Sequence, residues 1–326
     1  MKLLFKIKQG NNKSRFLVKK EGEYKSVLIS NDENLFVGMD IDENSYTIEP
    51  VNEKWKMKYE KYCGSTKNIK SHMIKYKNEN PKMKNLSWGT WAGRQYEHIL
   101  PENSRILNLI DGAFFEKEKE IYKHLESRKE LHKGFGNLNS SQAFAINLFV
   151  PIIQNKDLYK SFVDESDIGE IKLDDFEKVL IKEEGTQLDF YLETDRKKYT
   201  FEIKYSENAF GDTERDAAHE IKYNEIYKAR LLNCVDNLSE DDFFEEYQLW
   251  RNICFAAEGY EVRFVFPSFR KDLADKVIKA RERCKEEIKE RIDFIYVDDF
   301  ISKMKKSKDE NLRKHYSEFE EKYLNL

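Results

Sequence analysis

The sequence is poor in the residues that build disulfide frameworks, flexible linkers and membrane spans. Its 326 residues include only 13 glycines and 5 prolines, which argues against long flexible linkers. The four cysteines, Cys63, Cys234, Cys254 and Cys284, lie far apart without a Cys-x-x-Cys pair, which argues against a zinc site and a disulfide framework. No run approaches the ~20 apolar residues of a membrane span, and the first apolar run is too short for a signal peptide. We therefore expect a cytoplasmic protein without a membrane partner.

Charges of the two signs nearly cancel along the chain. There are 57 Lys and Arg against 61 Asp and Glu, a net charge of −4. This balance excludes a uniformly basic surface for nucleic acid, although it allows a local basic patch. Aromatic residues make up 13% of the chain, which is enough for a folded core. No Walker or Rossmann glycine pattern occurs, so we expect no nucleotide cofactor.

Residues 1–100 differ in character from the rest of the chain. Short alternating apolar runs separated by Gly, Asn and Asp predict strands and turns in 1–50. Residues 53–94 contain eleven Lys or Arg and three Glu, a net charge of +8, with Trp and Tyr interleaved. This basic segment is typical either of a surface that grips DNA phosphates and stacks on bases or of a solvated face over an aromatic core. We predict a recognition or assembly module in 1–100, β-rich and then basic, followed by a second domain in 101–326.

Hydrophobic patterning in 139–297 predicts an α/β domain with a mixed sheet. Three apolar stretches that alternate with polar residues predict neighbouring strands. Two later apolar runs predict further strands, and helical spacing separates them from the first three. The five predicted strands span 176–181, 186–193, 199–206, 261–266 and 294–297.

Local signals predict where the helices of this domain begin and end. A run of polar residues at 139–141 is expected to cap a helix over 142–149, which Pro151 stops. Ser239 is expected to begin a helix that reaches about residue 257, with Asp242 completing a capping box. Ser268 is expected to cap a long charged helix that reaches about residue 291.

Three charged residues on two adjacent predicted strands carry the chemical hypothesis. Asp189 lies in the middle of the second strand, and Glu202 and Lys204 lie in the third, on one face because side chains alternate along a strand. A hairpin around 194–197 would place Asp189 beside Glu202. Two carboxylates with a backbone carbonyl are typical ligands of Mg²⁺, which polarises phosphates and activates water, and a nearby lysine stabilises the charge that develops on a phosphoryl group.

At these residues the chain resembles the PD-(D/E)XK nuclease superfamily, which has the restriction-endonuclease-like fold. Gln-Leu-Asp189 matches the aspartate of that motif on the second strand, and Glu202-Ile203-Lys204 matches the Glu-x-Lys on the third. Leu188 stands where the motif has proline. The resemblance covers about 134–299 and implies an αβββαβ core with a mixed sheet. It also implies cleavage of DNA with Mg²⁺, or with Mn²⁺ in its place, held by Asp189, Glu202 and the backbone carbonyl of Ile203, with Lys204 as the catalytic lysine.

The sequence leaves other interpretations of these residues open. Glu/Asp-x-Lys strings occur elsewhere in this highly charged chain, and Glu202 and Lys204 could instead form ion pairs on the solvated face of an edge strand. The first helix carries Gln142 and Asn147 rather than an acid, so we expect it to take little part in the site. Four histidines that lack partners at ligand spacing are expected to be structural or surface residues; these are His72, His124, His132 and His219.

A later helix also carries polar residues on an apolar background. Gln248, Arg251 and Asn252 could steady an active site or touch DNA, but we favour a capping or packing role for them.

We therefore predict a metal-dependent endonuclease that acts in restriction or host defence. A repair or junction-resolving nuclease would use the same chemistry, and a non-catalytic DNA-binding module could keep the same fold. DNA is the expected partner, and a homodimer is one assembly that the sequence allows. The recognition sequence, the position of the cut and the residues that bind the substrate cannot be predicted.

Overall fold

The computed structural model describes most of the chain, and the chain divides into two compact units. The described residues are 3–8, 13–20, 23–30, 40–51, 66–91, 93–183, 185, 187–207, 209–211, 213 and 216–326. The first unit is Met1–Trp88 together with Leu326, and the second is Gly89–Asn325. Among the described residues, no helix combines the length and the apolar character that crossing a bilayer requires.

The first unit contains an antiparallel four-stranded sheet with its strands in chain order. The strands are β1 (Leu3–Lys8), β2 (Lys13–Lys20), β3 (Glu23–Ser30) and β4 (Ile48–Pro50). The alternating residues Phe16 and Val18 pack with Val27 and Ile29 in the buried core, as period-two patterning predicts.

Helix α1 (Thr66–Glu79) carries part of the basic segment 53–94, for which DNA binding and a solvated face were both left open. Residues 53–65 of that segment lie outside the described part of the chain. Lys75, Lys82 and Lys84 are exposed, but Lys77 is buried and its Nζ donates to the carbonyl of Ser87 at 3.1 Å. The solvated basic surface therefore excludes Lys77, which helps to hold the turn after α1.

The second unit is a mixed α/β structure built on a five-stranded mixed sheet. The strand order is β11-β10-β9-β8-β7, antiparallel from β7 to β9 and parallel from β9 to β11. The strands are β7 (Ile171–Val179), β8 (Gln187–Thr194), β9 (Lys198–Ile203), β10 (Glu261–Phe266) and β11 (Ile292–Tyr296). A separate small hairpin joins β5 (Gly89–Trp91) and β6 (Arg94–Tyr96). All five predicted strands of the sheet are confirmed, within a few residues at their ends.

Helices cover both faces of the five-stranded sheet. On one face the Phe149 ring of α3 stacks on Phe190 of β8 with ring centroids 4.0 Å apart. On the other face Trp250 and Ile253 of α8 join the core cluster that contains Phe264 of β10. The helices are α2 (Phe115–Arg128), α3 (Ser141–Gln154), α4 (Leu158–Val163), α5 (Ala217–Lys222), α6 (Lys228–Cys234), α7 (Glu240–Glu245), α8 (Tyr247–Ala257), α9 (Lys271–Arg283), α10 (Glu286–Lys289), α11 (Val297–Met304) and α12 (Glu310–Tyr323).

Two of the predicted helix starts are confirmed. The Ser140 hydroxyl accepts from the Ala143 amide at 3.3 Å, and the Ser239 hydroxyl accepts from the Asp242 amide at 3.1 Å. The third was wrong, because Ser268 instead donates its hydroxyl to the Asp298 carboxylate at 2.7 Å, and α9 begins only at Lys271.

The prediction that Pro151 stops its helix was also wrong, since α3 continues through it to Gln154. A proline inside a helix normally leaves the carbonyl four residues earlier without its hydrogen bond. Here that carbonyl, of Asn147, contacts the ring Nε2 of His315 at 2.7 Å. Helix α12 thus supplies the partner that the proline removes.

The same contact region holds ionisable groups that are fully buried. Glu118 of α2 lies near His315 and Lys322 of α12, and the Lys322 ammonium donates to the carbonyl of Asn108. Burial raises the pKa of Glu118 to about 8, although the charge of Lys322 opposes the shift. For the two basic groups burial acts in the opposite direction: it lowers the pKa of Lys322 to about 7 and that of His315 to about 4. Near neutral pH the folded state therefore favours an uncharged Glu118.

We predict that Glu118→Gln changes the pH dependence of stability. Because the folded pKa of Glu118 is about 8 and its ordinary value is 4.5, its contribution to stability is complete below pH 4.5 and is lost as pH rises to about 8. The melting temperature of the parent should therefore fall relative to that of Glu118→Gln across this window. Glu116→Gln, at an exposed position of the same helix, is the control and should track the parent. Parallel curves for all three proteins would contradict the prediction.

Candidate active site

The β8–β9 hairpin brings Asp189 and Glu202 side by side, as predicted. The turn closes with a hydrogen bond from the Thr194 amide to the Lys197 carbonyl at 2.8 Å. The strands pair Phe190 with Phe201, so the next residue on each strand, Asp189 and Glu202, lies on the opposite face of the sheet. The Asp189 carboxylate accepts from the backbone amide of Ile203 at 2.7 Å, which fixes it at the end of β9.

Glu202 is almost completely buried, with 3% of its surface exposed, and its carboxylate is held by three side chains. Lys204 Nζ lies 2.8 Å from Oε1. Arg251 and Asn252 of α8 both donate to Oε2, at 3.2 and 2.8 Å. A buried carboxylate is tolerated only when charge and hydrogen bonds compensate it, and this one has both.

Lys204 follows β9 on the same face as Glu202, as predicted. Its backbone amide donates to the Val265 carbonyl at 2.9 Å, so the chain stays beside β10 at this point. Besides contacting Glu202, its ammonium donates to the Gln248 side-chain oxygen at 2.6 Å. The lysine is therefore held from two directions, by its own strand and by α8.

The polar residues of α8 belong to this cluster, so the capping or packing role favoured for them was wrong. Gln248, Arg251 and Asn252 are three and four residues apart and lie on one helix face, toward Glu202 and Lys204. Their polar character on an otherwise apolar helix was the available signal.

A second group of residues at this site was missed from the sequence. Pairing of Phe176 with Phe190 and of Lys178 with Leu188 sets Glu177 of β7 opposite Asp189. Glu177 is buried and accepts from the Gln142 amide nitrogen at 2.6 Å.

His132 completes this second group. Its Nε2 lies 3.5 Å from the Glu177 carboxylate. The structure thus places Gln142 in contact with Glu177, nearer the site than expected. His132 is a partly exposed residue, as expected, and it also contacts Glu177.

All of these residues except Gln142 and Asn252 line a cavity of about 960 Å³, which we call the acidic cavity. Its carboxylates are Glu177, Asp189, Glu202, Glu207, Glu245 and Glu246. Its permanently cationic side chains are Lys204, Arg251 and Lys276. Lys204 and Arg251 pair with Glu202, and Lys276 pairs with Glu246. The described lining therefore carries more negative than positive charge.

The pKa values reflect this imbalance. Burial and the charge of Glu202 raise the pKa of Asp189 well above its usual range. Burial also acts to raise the pKa of Glu202, but the charges of Lys204 and Arg251 outweigh it and lower that pKa. For Lys204 burial opposes the charged form, yet the neighbouring carboxylates raise its pKa, so it stays protonated. Lys204 is consequently a poor proton acceptor and a stable positive charge.

Asp189 and Glu202 offer carboxylate oxygens, the kind of donor that small hard cations prefer. Within the described residues no group of three or more His, Cys, Asp and Glu side chains could hold a metal. Mg²⁺ commonly keeps several waters and needs only one or two carboxylates from the protein. Asp189 forms no ion pair in the described part of the chain, and its carboxyl group lies beside the Glu202 carboxylate. A cation bound there would relieve their repulsion.

A comparison with known protein families finds a match to this chain. The model of a family described as "Restriction Endonuclease associating with ARP" matches residues 56–324, which is most of the chain. No curated protein matches the sequence. No solved structure matches it either.

We predict that Asp189→Asn stabilises the protein when no divalent metal is present. The folded pKa of Asp189 lies well above its ordinary value of 3.8, so its contribution to stability is lost as pH rises above that value. The neutral amide can still accept from the Ile203 amide. In EDTA, the melting temperature of Asp189→Asn should exceed that of the parent, and by a larger margin at about pH 8 than at about pH 5. Asp157→Asn, at an exposed residue without a side-chain capping bond, is the control. A fall at both pH values would refute the prediction.

Proposed function

The chain belongs to the family of restriction endonucleases associating with ARP, and we propose that it is an Mg²⁺-dependent endonuclease that hydrolyses DNA phosphodiester bonds in restriction or host defence. One observation carries the proposal: two adjacent carboxylates, Asp189 and Glu202, lie in the acidic cavity beside the buried ammonium of Lys204. Charges are expensive to bury, and their joint presence at one cavity is typical of a site that uses them.

We further propose the PD-(D/E)XK core for this domain. The order α3, β7, β8, β9, α8 and β10 supports it, with α4 inserted between α3 and β7 and α5 to α7 inserted between β9 and α8. The middle strands carry Asp189 on β8 and Glu202 on β9, followed by Lys204. Three neighbouring strands that share one cavity suit this motif, even though Leu188 replaces its proline.

In this proposal Asp189, Glu202 and the backbone carbonyl of Ile203 hold the metal. When bound, Mg²⁺ supplies polarisation of the scissile phosphate and a bound water of lowered pKa. Arg251 and Asn252 keep the Glu202 carboxylate fixed, because both donate to the same oxygen.

Lys204 acts as a fixed positive charge. Gln248 and Glu202 orient its ammonium, at 2.6 and 2.8 Å. An ammonium held in this way stabilises the negative charge that builds up on the phosphoryl group in the transition state.

Two alternative functions make different predictions. A repair or junction-resolving nuclease would cut branched DNA in preference to linear duplex with the same residues. A non-catalytic DNA-binding module would have no use for the Asp189–Glu202–Lys204 cluster, whose charges lower stability unless they are compensated.

The family description also names an association with ARP, and we extend that association to this chain as a proposal. Size-exclusion chromatography of the chain with and without ARP tests this association. The proposal requires the chain and ARP to elute together. The same experiment on the chain alone tests whether it forms a homodimer.

We predict that single substitutions separate the roles of the three residues. Asp189→Ala and Glu202→Ala should abolish plasmid cleavage and the rise in melting temperature that Mg²⁺ gives the parent. Lys204→Ala should lower the cleavage rate about 10²–10³-fold and leave that Mg²⁺ effect in place, because it removes one transition-state donor.

Asp157→Ala is the matched control for these variants and should cut like the parent. Discrete plasmid fragments support restriction, preferential cutting of branched DNA supports a junction nuclease, and no cleavage with Mg²⁺ or Mn²⁺ contradicts the proposed enzyme. Normal cleavage by Asp189→Ala would show that the metal site lies elsewhere.

We predict that the exposed lysines after and on α1 contact DNA phosphates. The triple variant Lys75→Glu, Lys82→Glu and Lys84→Glu should bind DNA more weakly and with a shallower salt dependence. Each lost phosphate contact lowers the slope of log K against log salt by about 0.9. The control reverses three exposed lysines of the other unit, Lys303, Lys306 and Lys308. Equal slopes for the parent and the first variant would show that this surface is merely solvated.

A further inference from the structure

Gln142 ties the loop before α3 to β7 beside the acidic cavity. Its side-chain oxygen accepts from the His132 backbone amide at 2.8 Å. Its amide nitrogen donates to the Glu130 carbonyl at 3.0 Å and to the Glu177 carboxylate at 2.6 Å. One buried side chain at the start of α3 thus fixes the position of His132 relative to the sheet.

Glu177 is held in an unusual backbone conformation at the end of this chain of contacts. Its φ of 53° lies in the left-handed region, although the residue is in a strand and is not glycine. Such a conformation costs free energy and persists only where surrounding contacts impose it, often at functional sites. The carboxylate is 3% exposed, and its partners in the described part of the chain are Gln142, which is neutral, and His132.

His132 differs from the other basic groups that line the acidic cavity. Lys204 and Arg251 are buried against Glu202, and Lys276 is paired with Glu246. The His132 side chain is 47% exposed and contacts the buried Glu177 carboxylate. It can therefore meet an incoming phosphate while it keeps its contact with the buried carboxylate.

We propose that His132 is a substrate-contacting residue whose imidazolium donates to a phosphate oxygen of DNA in the acidic cavity, with Glu177 and Gln142 as its positioning residues. This inference rests on the proposed nuclease function and adds a residue for phosphate recognition to it. The carboxylates that line the cavity repel the phosphates of DNA. A positive charge on His132 offsets part of this repulsion.

The electrostatic surroundings of His132 support the cationic form. The contact with Glu177 is the largest influence and raises the pKa of His132, while burial opposes it. Asp189 from β8 and Glu207 from the segment after β9 act in the same direction as Glu177. Gln142 faces it from α3 without charge.

The test compares charge-removing and charge-keeping variants of the full chain. DNA affinity is measured by fluorescence anisotropy with a labelled duplex and Mg²⁺, in the Lys204→Ala background so that cleavage is slow compared with the measurement. The pH is about 6, below the ordinary pKa of histidine. His132→Gln should weaken binding roughly fivefold at 0.15 M salt and lower the salt slope by about 0.9, the effect of one lost phosphate contact. His132→Lys should restore the slope, whereas a merely structural role would not respond to charge.

Two further variants complete the experiment. His124→Gln changes an exposed histidine of α2 and should behave like the background protein. Glu177→Gln should weaken binding less when added to His132→Gln than when made alone, because it acts through the histidine. With Lys204 present, His132→Gln should raise KM for DNA cleavage more than it lowers kcat.

The outcomes separate the two proposals. Cleavage by the parent together with an unchanged salt slope in His132→Gln overturns the role of His132 and leaves the nuclease in place. A slope that falls equally in His132→Lys also overturns it, since the charge is then irrelevant. A parent that neither binds nor cuts DNA with Mg²⁺ or Mn²⁺ overturns both.

Discussion

The compensation of one buried carboxylate is the constraint on which the rest of the site depends. Glu202 sits in a core strand, where an unpaired charge would cost several kcal/mol. Lys204 from its own strand, and Arg251 and Asn252 from α8, provide the opposing charge and hydrogen bonds. Helix α8 can therefore pack on the sheet only in a register that turns this polar face toward Glu202. That register also brings Gln248 to Lys204.

Asp189 lies beside this balanced group without an ion pair in the described part of the chain. Its carboxylate is held by one backbone amide. Burial, together with repulsion by Glu202, raises its pKa. A protein selected for stability alone would replace such a charge, since an amide of the same shape keeps the hydrogen bond. Retaining the carboxyl fits the proposed function, in which a cation would complete the site. This imbalance, more than the cluster of charged residues itself, favours a metal-dependent function.

Local pattern was enough to predict the hairpin and the places of Asp189, Glu202 and Lys204, because strand alternation and a short turn fix which side chains share a face. The contributions of α8, Glu177 and His132 depend on contacts between residues far apart in sequence. Polar side chains on an apolar helix have several uses, so only the packing of α8 distinguishes among them. The positive φ of Glu177 leaves no trace in the sequence, since the residue type does not require it.

The same dependence on distant contacts explains how the end of the chain supports the site. Helix α12 covers α3 and meets the carbonyl of Asn147 that Pro151 leaves open, so α3 stays helical beyond the proline. Tyr316 of α12 donates to the next carbonyl, of Leu148, at 3.0 Å. Helix α3 is thereby fixed along its length, and its first turn carries Gln142, which holds Glu177 and the loop of His132. A rigid α3 is therefore the link between the packing of α12 and the edge of the acidic cavity.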